Sequence, residues 1–296
     1  MSEASIKDVI LKSAERLEAA ELWYGHGTGN ALDEAAALVL HVAGLLGQDE
    51  PDFSVALPEP QRAEVGQLLE RRINERLPLP YLLGEAWFCG RPYHVDQRVL
   101  IPRSPIAELI DDGFSPWLAA PPQRILEIGT GSGCIAIACA LAFPEAEVVA
   151  TDISPDALAV ARSNVARHGV GDRLQLLQAD LYEGLDKIMS GKFDLIVTNP
   201  PYVPAEEVIS LPAEYNHEPV LALESGDDGL DASRVIIERA PEYLTDNGAL
   251  ILEVGAYWES LDAAFPGMPF MWLEFERGGE GVALLPAQEL KAALTT

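Results

Sequence analysis

The strongest constraint on the fold is a regular alternation of strand-like and helix-like segments that begins at Arg124. Arg124–Ile128 is an apolar run typical of a buried strand, and residues 134–143 continue as an apolar helix. Further strands are predicted at Glu147–Asp152, Leu174–Gln178, Phe193–Thr198 and residues 249–254. Strands that alternate with helices form a parallel, doubly wound α/β sheet. Residues 270–275 and 282–285 predict an added C-terminal antiparallel hairpin.

The residues before this region predict two further segments. Residues 1–80 have helical periodicity, with helices expected from Ile6, from near Asp33 until Gly47, and from about Pro60. They are expected to form a small all-helical domain. Aromatic and β-branched residues at 81–101 predict a β-hairpin or an extended linker. Residues 102–296 are then expected to form a separate α/β domain.

Charge and composition exclude several classes of protein. With 20 basic and 47 acidic residues, the net charge is −27, which argues against direct binding of nucleic acid. The excess of acidic side chains either increases solubility or attracts a basic partner, and both explanations stay open. Three cysteines without CxxC spacing predict neither disulfides nor a metal site. No signal peptide or membrane span is recognisable, so a cytoplasmic protein without membrane contact is expected.

A glycine-rich loop follows the first predicted strand. Gly129, Gly131 and Gly133 lie between that strand and the next helix, where glycine allows a tight turn and close approach of the backbone to a ligand. The GxGxG spacing differs from the GxGxxG of pyrophosphate-binding dehydrogenases. A purely structural turn and a dehydrogenase remain weaker alternatives.

Acidic residues follow the next two strands. Asp152 ends the second strand, where a carboxylate can accept hydrogen bonds from both hydroxyls of a ribose. Asp180 follows the third strand and can accept from an adenine amine, while Leu181 and Ile153 offer apolar surface to the ring. Together with the glycine loop, this set resembles the Rossmann-like methyltransferases that use S-adenosyl-L-methionine.

The tetrapeptide Asn199-Pro200-Pro201-Tyr202 follows the fourth strand, which places it at the ligand-binding edge of a doubly wound sheet. The two prolines remove backbone donors and stiffen the turn. The Asn199 side-chain oxygen and the Pro200 carbonyl remain as acceptors for an NH2 group, and Tyr202 offers a flat face. These residues are the candidate catalytic residues, because acceptors can orient a conjugated nitrogen and stabilise its developing positive charge. A plain proline turn is the structural alternative.

The tetrapeptide does not select one substrate. Methyltransferases that act on protein glutamine amides share it with those that act on the adenine amine of nucleic acids. Residues 86–296 carry 13 basic and 32 acidic side chains, which disfavours the nucleic acid.

The chain as a whole resembles the HemK-like protein-glutamine methyltransferases, specifically the branch that modifies ribosomal large-subunit protein three. The similarity is carried by residues 24–28, 87–90, 101–105, 134–138 and 278–282, which read YGHGT, WFCG, IPRSP, CIAIA and GGEGV. The EIGTGSG form of the glycine loop is also usual in the sister branch, so peptide-chain release factors stay an alternative substrate.

The resemblance implies a set of site residues. Those that would contact the cofactor are Glu127, Gly129, Thr130, Gly131, Gly133, Asp152, Ile153, Asp180, Leu181 and Asn199. The glutamine side chain would be held by Asn199, Pro200, Pro201 and Tyr202, with Arg103 at the cleft entrance or in a surface ion pair. Glu127 would orient the glycine loop or the methionine ammonium group. The expected partner is a basic ribosomal protein, captured before assembly, because such proteins would be attracted by the acidic surface.

Overall fold

The structure is a computed structural model that describes residues 4–185 and 191–295. The chain divides into two compact units. The first contains the described residues up to Gln97, with Ile101–Arg103 and Pro212–His217 added from later in the chain. The second contains Arg98–Leu100 and the described residues of Ser104–Leu211 and from Glu218 onward. Pro212–His217 therefore groups with the N-terminal residues although it follows the fourth predicted strand.

Helices dominate the first unit, and they span Ile6–Ala19, Ala31–Ala43, Glu59–Glu75 and Leu79–Leu83. The second helix begins earlier than predicted, because Asn30 and not Asp33 is its N-cap and accepts the N–H of Asp33. It also ends earlier, at Gly44 in the left-handed conformation. Gly47 has a different role, since a Cβ there would lie 2.1 Å from the ring of Trp87.

The predicted hairpin of the first unit consists of β1 (Glu85–Phe88) and β2 (Arg91–His94), which pair antiparallel. The helices pack their apolar faces into a core that includes Leu17, Leu38 and Leu69. The described residues up to 80 are thus mainly helical, as expected from their periodicity.

A buried ion cluster ties Pro212–His217 to these helices. Arg72 is 1% exposed; its Nε donates to Glu34 at 2.7 Å and one guanidinium NH2 group donates to Glu214 at 3.3 Å. Glu214 also accepts the N–H of Trp23 at 3.1 Å and a hydrogen bond from Arg76. Burial opposes ionisation of Glu214, but these donors outweigh it and hold its pKa below the ordinary value.

The second unit is built on a seven-stranded sheet in the order β5-β4-β3-β6-β7-β9-β8. The five strands from β5 to β7 are parallel, and β9 runs antiparallel to both of its neighbours. The strands are β3 (Arg124–Ile128), β4 (Glu147–Asp152), β5 (Leu174–Gln178), β6 (Phe193–Thr198), β7 (Leu244–Glu253), β8 (Met271–Trp272) and β9 (Val282–Pro286). The predicted doubly wound α/β fold with its C-terminal hairpin is confirmed.

Helices accompany this sheet at Ile106–Asp111, Cys134–Ala142, Pro155–His168, Ala205–Val208, Asp231–Tyr243, Trp258–Ala264 and Ala287–Leu294. The sequence did not predict Ala205–Val208, Trp258–Ala264 or Ala287–Leu294, and β8 has only two residues although a strand was expected over residues 270–275. The central strands β3 and β6 are almost wholly buried, as expected for parallel strands covered on both faces. Within the described residues, no helix is both long and apolar enough to cross a membrane.

Candidate active site

A cavity of about 450 Å³ lies in the second unit at the carboxyl ends of β3, β4 and β6. Ligands bind at this edge in doubly wound sheets. The predicted site residues that line it are Gly129, Gly131, Asp152, Ile153, Asp180, Leu181, Asn199 and Pro201. Residues from four separate points of the sequence are thus brought together, and the volume falls in the usual range for a small-molecule site.

The glycine loop forms one wall of the cavity. Gly131 has a φ of +53°, and a Cβ there would meet no atom within 4 Å, so the backbone faces open space. Gly133 has another role, because a Cβ there would lie 3.3 Å from Ala161 and Ile137. It allows the following helix to pack closely against Pro155–His168, and it is not among the cavity-lining residues.

Glu127 lies beneath the loop and outside the cavity lining. It is 1% exposed and accepts hydrogen bonds from the Thr130 hydroxyl and, at 3.0 Å, from the N–H of Ala136. These contacts fit the first predicted role, in which Glu127 orients the loop. Burial raises the pKa of Glu127 to about 8, although both hydrogen bonds favour the ionised form.

The pKa of Glu127 makes stability depend on pH. Between pH 4.5 and pH 8 the Glu127 carboxyl is protonated in the folded protein but ionised in the unfolded chain, where its pKa has the ordinary value of 4.5. Folding therefore takes up a proton in this range, and stability falls as the pH rises. We therefore expect the wild-type free energy of unfolding to fall on the order of 3 kcal/mol more than that of Glu127→Gln between pH 5 and pH 8. Urea unfolding at both pH values measures this difference. Parallel pH dependence in the two proteins would contradict it.

Asp152 links the loop to the next strand. One carboxylate oxygen accepts the N–H of Gly131 at 2.8 Å, and the other accepts the N–H of Ser154 at 2.9 Å. Each carboxylate oxygen has a second acceptor site, so Asp152 can still receive two hydroxyl groups. Burial raises its pKa above the ordinary value, against the effect of the two hydrogen bonds. Ser154 in turn caps the helix Pro155–His168.

Asp180 and Leu181 reach the cavity from the segment after β5. Leu181 has a φ of +51°, and Ala179 donates its N–H to the carbonyl of Asp152 at 3.1 Å. Ile153 is 44% exposed and lines the same cavity. The site therefore combines carboxylates with apolar surface. This combination suits a ligand that has a flat ring with polar atoms at its edge and two neighbouring hydroxyl groups.

The tetrapeptide is only partly in the cavity wall. Asn199 and Pro201 line it, whereas Pro200 is buried and neither Pro200 nor Tyr202 is among the lining residues. The chain after Tyr202 pairs with a later segment: Val203 donates its N–H to Leu223 at 2.8 Å, and Ser225 donates to Val203 at 3.0 Å.

The segment that pairs with Val203 forms a wall of the cavity that the sequence did not predict. The wall contains Pro219, Leu221, Ala222, Glu224, Ser225 and Gly226, with Asp231, Ala232 and Val235 from the following helix. Arg98, Val99 and Leu100 also line the cavity, and they lie between two of the stretches that carry the family resemblance, residues 87–90 and 101–105. Pro219 and Gly226 of this wall stand alone in the sequence and form no spaced pattern such as GxGxG that would have predicted a ligand-binding loop.

Arg103 and His217 belong to the first unit and are not among the cavity-lining residues. The Arg103 guanidinium lies 5.5 Å from the ring centroid of Tyr215, a cation–π arrangement. His217 contacts the carbonyl of Glu75 at 2.9 Å and the side chain of Gln97 at 3.1 Å. These contacts make His217 a structural residue.

Comparison with known proteins gives a consistent picture. The sequence model of the family described as "Methyltransferase small domain" matches residues 114–213. A ribosomal protein uL3 glutamine methyltransferase of Bordetella pertussis is 46% identical over 289 residues, which cover 97% of this chain and 96% of that protein. Its counterpart in Neisseria gonorrhoeae is 45% identical over 96% of this chain and 95% of that protein.

Solved structures support the architecture alone. The hMettl16 catalytic domain, solved in complex with the MAT2A 3′UTR hairpin 1, matches with a TM-score of 0.51 and 14% identity. The match covers 84% of this chain and 89% of that one. At this identity the likeness shows a shared fold.

Proposed function

The chain belongs to the family of ribosomal protein uL3 glutamine methyltransferases, and we propose that it methylates the side-chain amide nitrogen of a glutamine in ribosomal protein uL3, the large-subunit protein three. The methyl donor is S-adenosyl-L-methionine. The observation that carries the proposal is that Asn199 and Pro201 line the same cavity as Asp152 and Asp180. Acceptors for an amide and for an adenosyl group are thus close together.

The residues of the cavity fit S-adenosyl-L-methionine. Asp152 has acceptor capacity left for the ribose hydroxyls, and Asp180 can accept from the adenine amine. Ile153 and Leu181 provide apolar contact for the ring. Gly129, Thr130, Gly131 and Gly133 form the loop beside the methionine part, with Glu127 supporting it from below. When bound, the cofactor supplies an electrophilic methyl group on a sulfonium ion.

The tetrapeptide residues perform the substrate half of the chemistry. A glutamine amide nitrogen is a poor nucleophile because its lone pair is delocalised. The Asn199 side-chain oxygen and the Pro200 carbonyl accept its two N–H groups and direct the lone pair toward the methyl group. As the C–N bond forms, the bond between the methyl group and sulfur breaks and positive charge grows on nitrogen. The same oxygens stabilise this charge until the nitrogen releases one N–H proton to solvent. Pro201 stiffens the turn, and Tyr202 limits the position of the amide.

The charge of the chain supports a basic protein substrate. A net charge of −27 attracts a basic ribosomal protein and repels nucleic acid, so we place the reaction in the cytoplasm on free uL3 before assembly. The helical residues 1–80 are proposed to recognise the substrate, with Arg103 contacting it. The reaction needs neither nucleic acid nor a membrane as a partner.

Salt dependence tests this capture step. Because electrostatic attraction between a negative enzyme and a basic substrate is screened by ions, raising ionic strength from about 0.05 M to 0.5 M should raise KM for free uL3 severalfold. The turnover number should change little, since it reports the bound complex. A KM that is independent of salt would show that the charge serves solubility alone.

The substrate itself is tested with labelled cofactor. The enzyme is incubated with radiolabelled S-adenosyl-L-methionine and either purified uL3, release factors or RNA, and mass spectrometry then locates the modified residue. We expect one methyl group on a glutamine of uL3. Label in release factors but not in uL3 would assign the enzyme to the branch that methylates release factors. Label in RNA at physiological salt would contradict a protein substrate.

A further inference from the structure

Residues 278–282 carry part of the family resemblance, but the proposed chemistry does not use them. Within this stretch, Gly281 has a φ of +70° and precedes β9. A Cβ at Gly281 would lie 1.9 Å from the carbonyl oxygen of Gly255 and 2.8 Å from its Cα. The two backbones are therefore in direct contact, and any side chain at position 281 would push Gly255 away.

Gly255 is in turn pressed against the ring of Tyr202. A Cβ at Gly255 would lie 3.2 Å from three ring-end atoms of Tyr202: Cε2, Cζ and the hydroxyl oxygen. The C-terminal hairpin thus reaches the tetrapeptide through one intermediate backbone segment. Gly281 contacts Gly255, and Gly255 contacts Tyr202.

The main chain of Tyr202 is confined as well. A Cβ at Gly229 would lie 2.4 Å from the Tyr202 carbonyl oxygen. The segment after the tetrapeptide has a separate attachment to the Gly255 turn, because the Tyr257 hydroxyl donates to Glu207 at 2.7 Å. Tyr202 is therefore held through its ring, its carbonyl and the segment that follows it.

We propose that Gly281 and Gly255 are positioning residues for methyl transfer: they set the place of Tyr202 and, through the rigid turn, the place of the acceptors at Asn199 and Pro200. This inference rests on the proposed function, in which those acceptors orient the glutamine amide. Two consecutive prolines, Pro200 and Pro201, transmit a shift of Tyr202 because their φ angles are fixed. The turn that leads into β9 thereby contributes to the site through the contact between Gly281 and Gly255.

The test compares alanine variants of three glycines. Gly281→Ala and Gly255→Ala should lower kcat on uL3 by roughly 10- to 100-fold, because small displacements of positioning groups have effects of this size. The KM for uL3 and the Kd of S-adenosyl-L-methionine should stay within about twofold, since the cavity residues Asp152 and Asp180 and the helical residues 1–80, which are proposed to recognise uL3, keep their places. Gly255→Ala requires a smaller displacement than Gly281→Ala, so it remains informative if the second variant does not fold.

Gly278→Ala is the matched control. Gly278 lies in the same stretch with a φ of +86°, but a Cβ there would meet no atom within 4 Å. It therefore carries the backbone strain of alanine in the left-handed region without the displacement of Gly255. Its kcat should equal that of the wild type, which separates positioning from strain.

A second measurement observes Tyr202 directly. With fluorotyrosine incorporated, the ¹⁹F resonance of Tyr202 is assigned by its absence in Tyr202→Phe. It should shift in Gly281→Ala and Gly255→Ala but not in Gly278→Ala. Wild-type kcat in both folded variants would overturn the inference. If the wild type does not methylate uL3, the proposed function fails, and an unshifted Tyr202 resonance would then overturn the positioning inference separately.

Discussion

Asn199→Ala is expected to lower kcat for glutamine methylation on the order of 10²- to 10³-fold while leaving the fold intact. In the proposed mechanism the side-chain oxygen of Asn199 is one of two acceptors that stabilise charge growing on the amide nitrogen, and the loss of one such preorganised group costs about this much. Asn199 is only partly buried at the cavity wall, so no core packing is lost. Initial rates with saturating uL3 and cofactor measure the effect.

Asn247→Ala provides the control for this variant, because Asn247 is exposed and lies outside the cavity lining. It should retain wild-type rates. Asn199→Ala also separates an enzyme from an assembly scaffold. If cells need the protein for ribosome assembly and Asn199→Ala satisfies that need without detectable methylation, the methyl transfer is not the essential activity.

Arg72→Met should destabilise the first unit by about 3–5 kcal/mol. The variant keeps the apolar stem of the side chain but removes the guanidinium, which leaves Glu34 and Glu214 buried without their shared cation. Breaking a buried ion cluster by removing one partner has a cost of this size because a charge stays uncompensated in a low-dielectric interior. Urea unfolding followed by circular dichroism measures the loss.

Arg71→Met is the matched control in the same helix. The ion pair of Arg71 with Glu75 is about half exposed on both sides, and such pairs contribute roughly 0–1 kcal/mol. We also expect the triple variant Arg72→Met, Glu34→Gln and Glu214→Gln to recover much of the loss, since no buried charge is then left unpaired. Equal destabilisation by Arg71→Met and Arg72→Met would show that the cluster has no special role.

Features with local causes were predictable from the sequence. Ser154, Pro155 and Gly169 mark the ends of one helix, and the structure has that helix with Ser154 as N-cap and Gly169 as C-cap. The cap residues lie next to the turn whose backbone groups they satisfy. The local sequence is therefore enough to predict both ends of this helix. The N-cap at Asn30 was misplaced to Asp33 because both residue types are good caps, and three residues separate them.

The cavity-facing part of the site was also accessible, because its residues follow strands. In a parallel sheet the carboxyl ends of β3, β4 and β6 meet at one edge, so Gly131, Asp152 and Asn199 had to come together. The same reasoning did not separate Gly131, which faces open space, from Gly133, which packs between helices. Their φ angles have the same sign, and only the surrounding atoms distinguish their roles.

By itself, the sequence determined the alternating architecture, the strand ends that carry the site and the acceptors of the tetrapeptide, because all of these follow from periodicity and chain direction. The tertiary structure alone decided which residues of Pro219–Gly226 form the far wall, that Glu214 pairs with Arg72, and that Gly281 lies against Gly255 behind Tyr202. The physical reason is the same in each case. These contacts join segments that are far apart in the sequence. Packing and hydrogen bonds between such segments produce no periodic pattern, so the sequence of one segment does not indicate its partner.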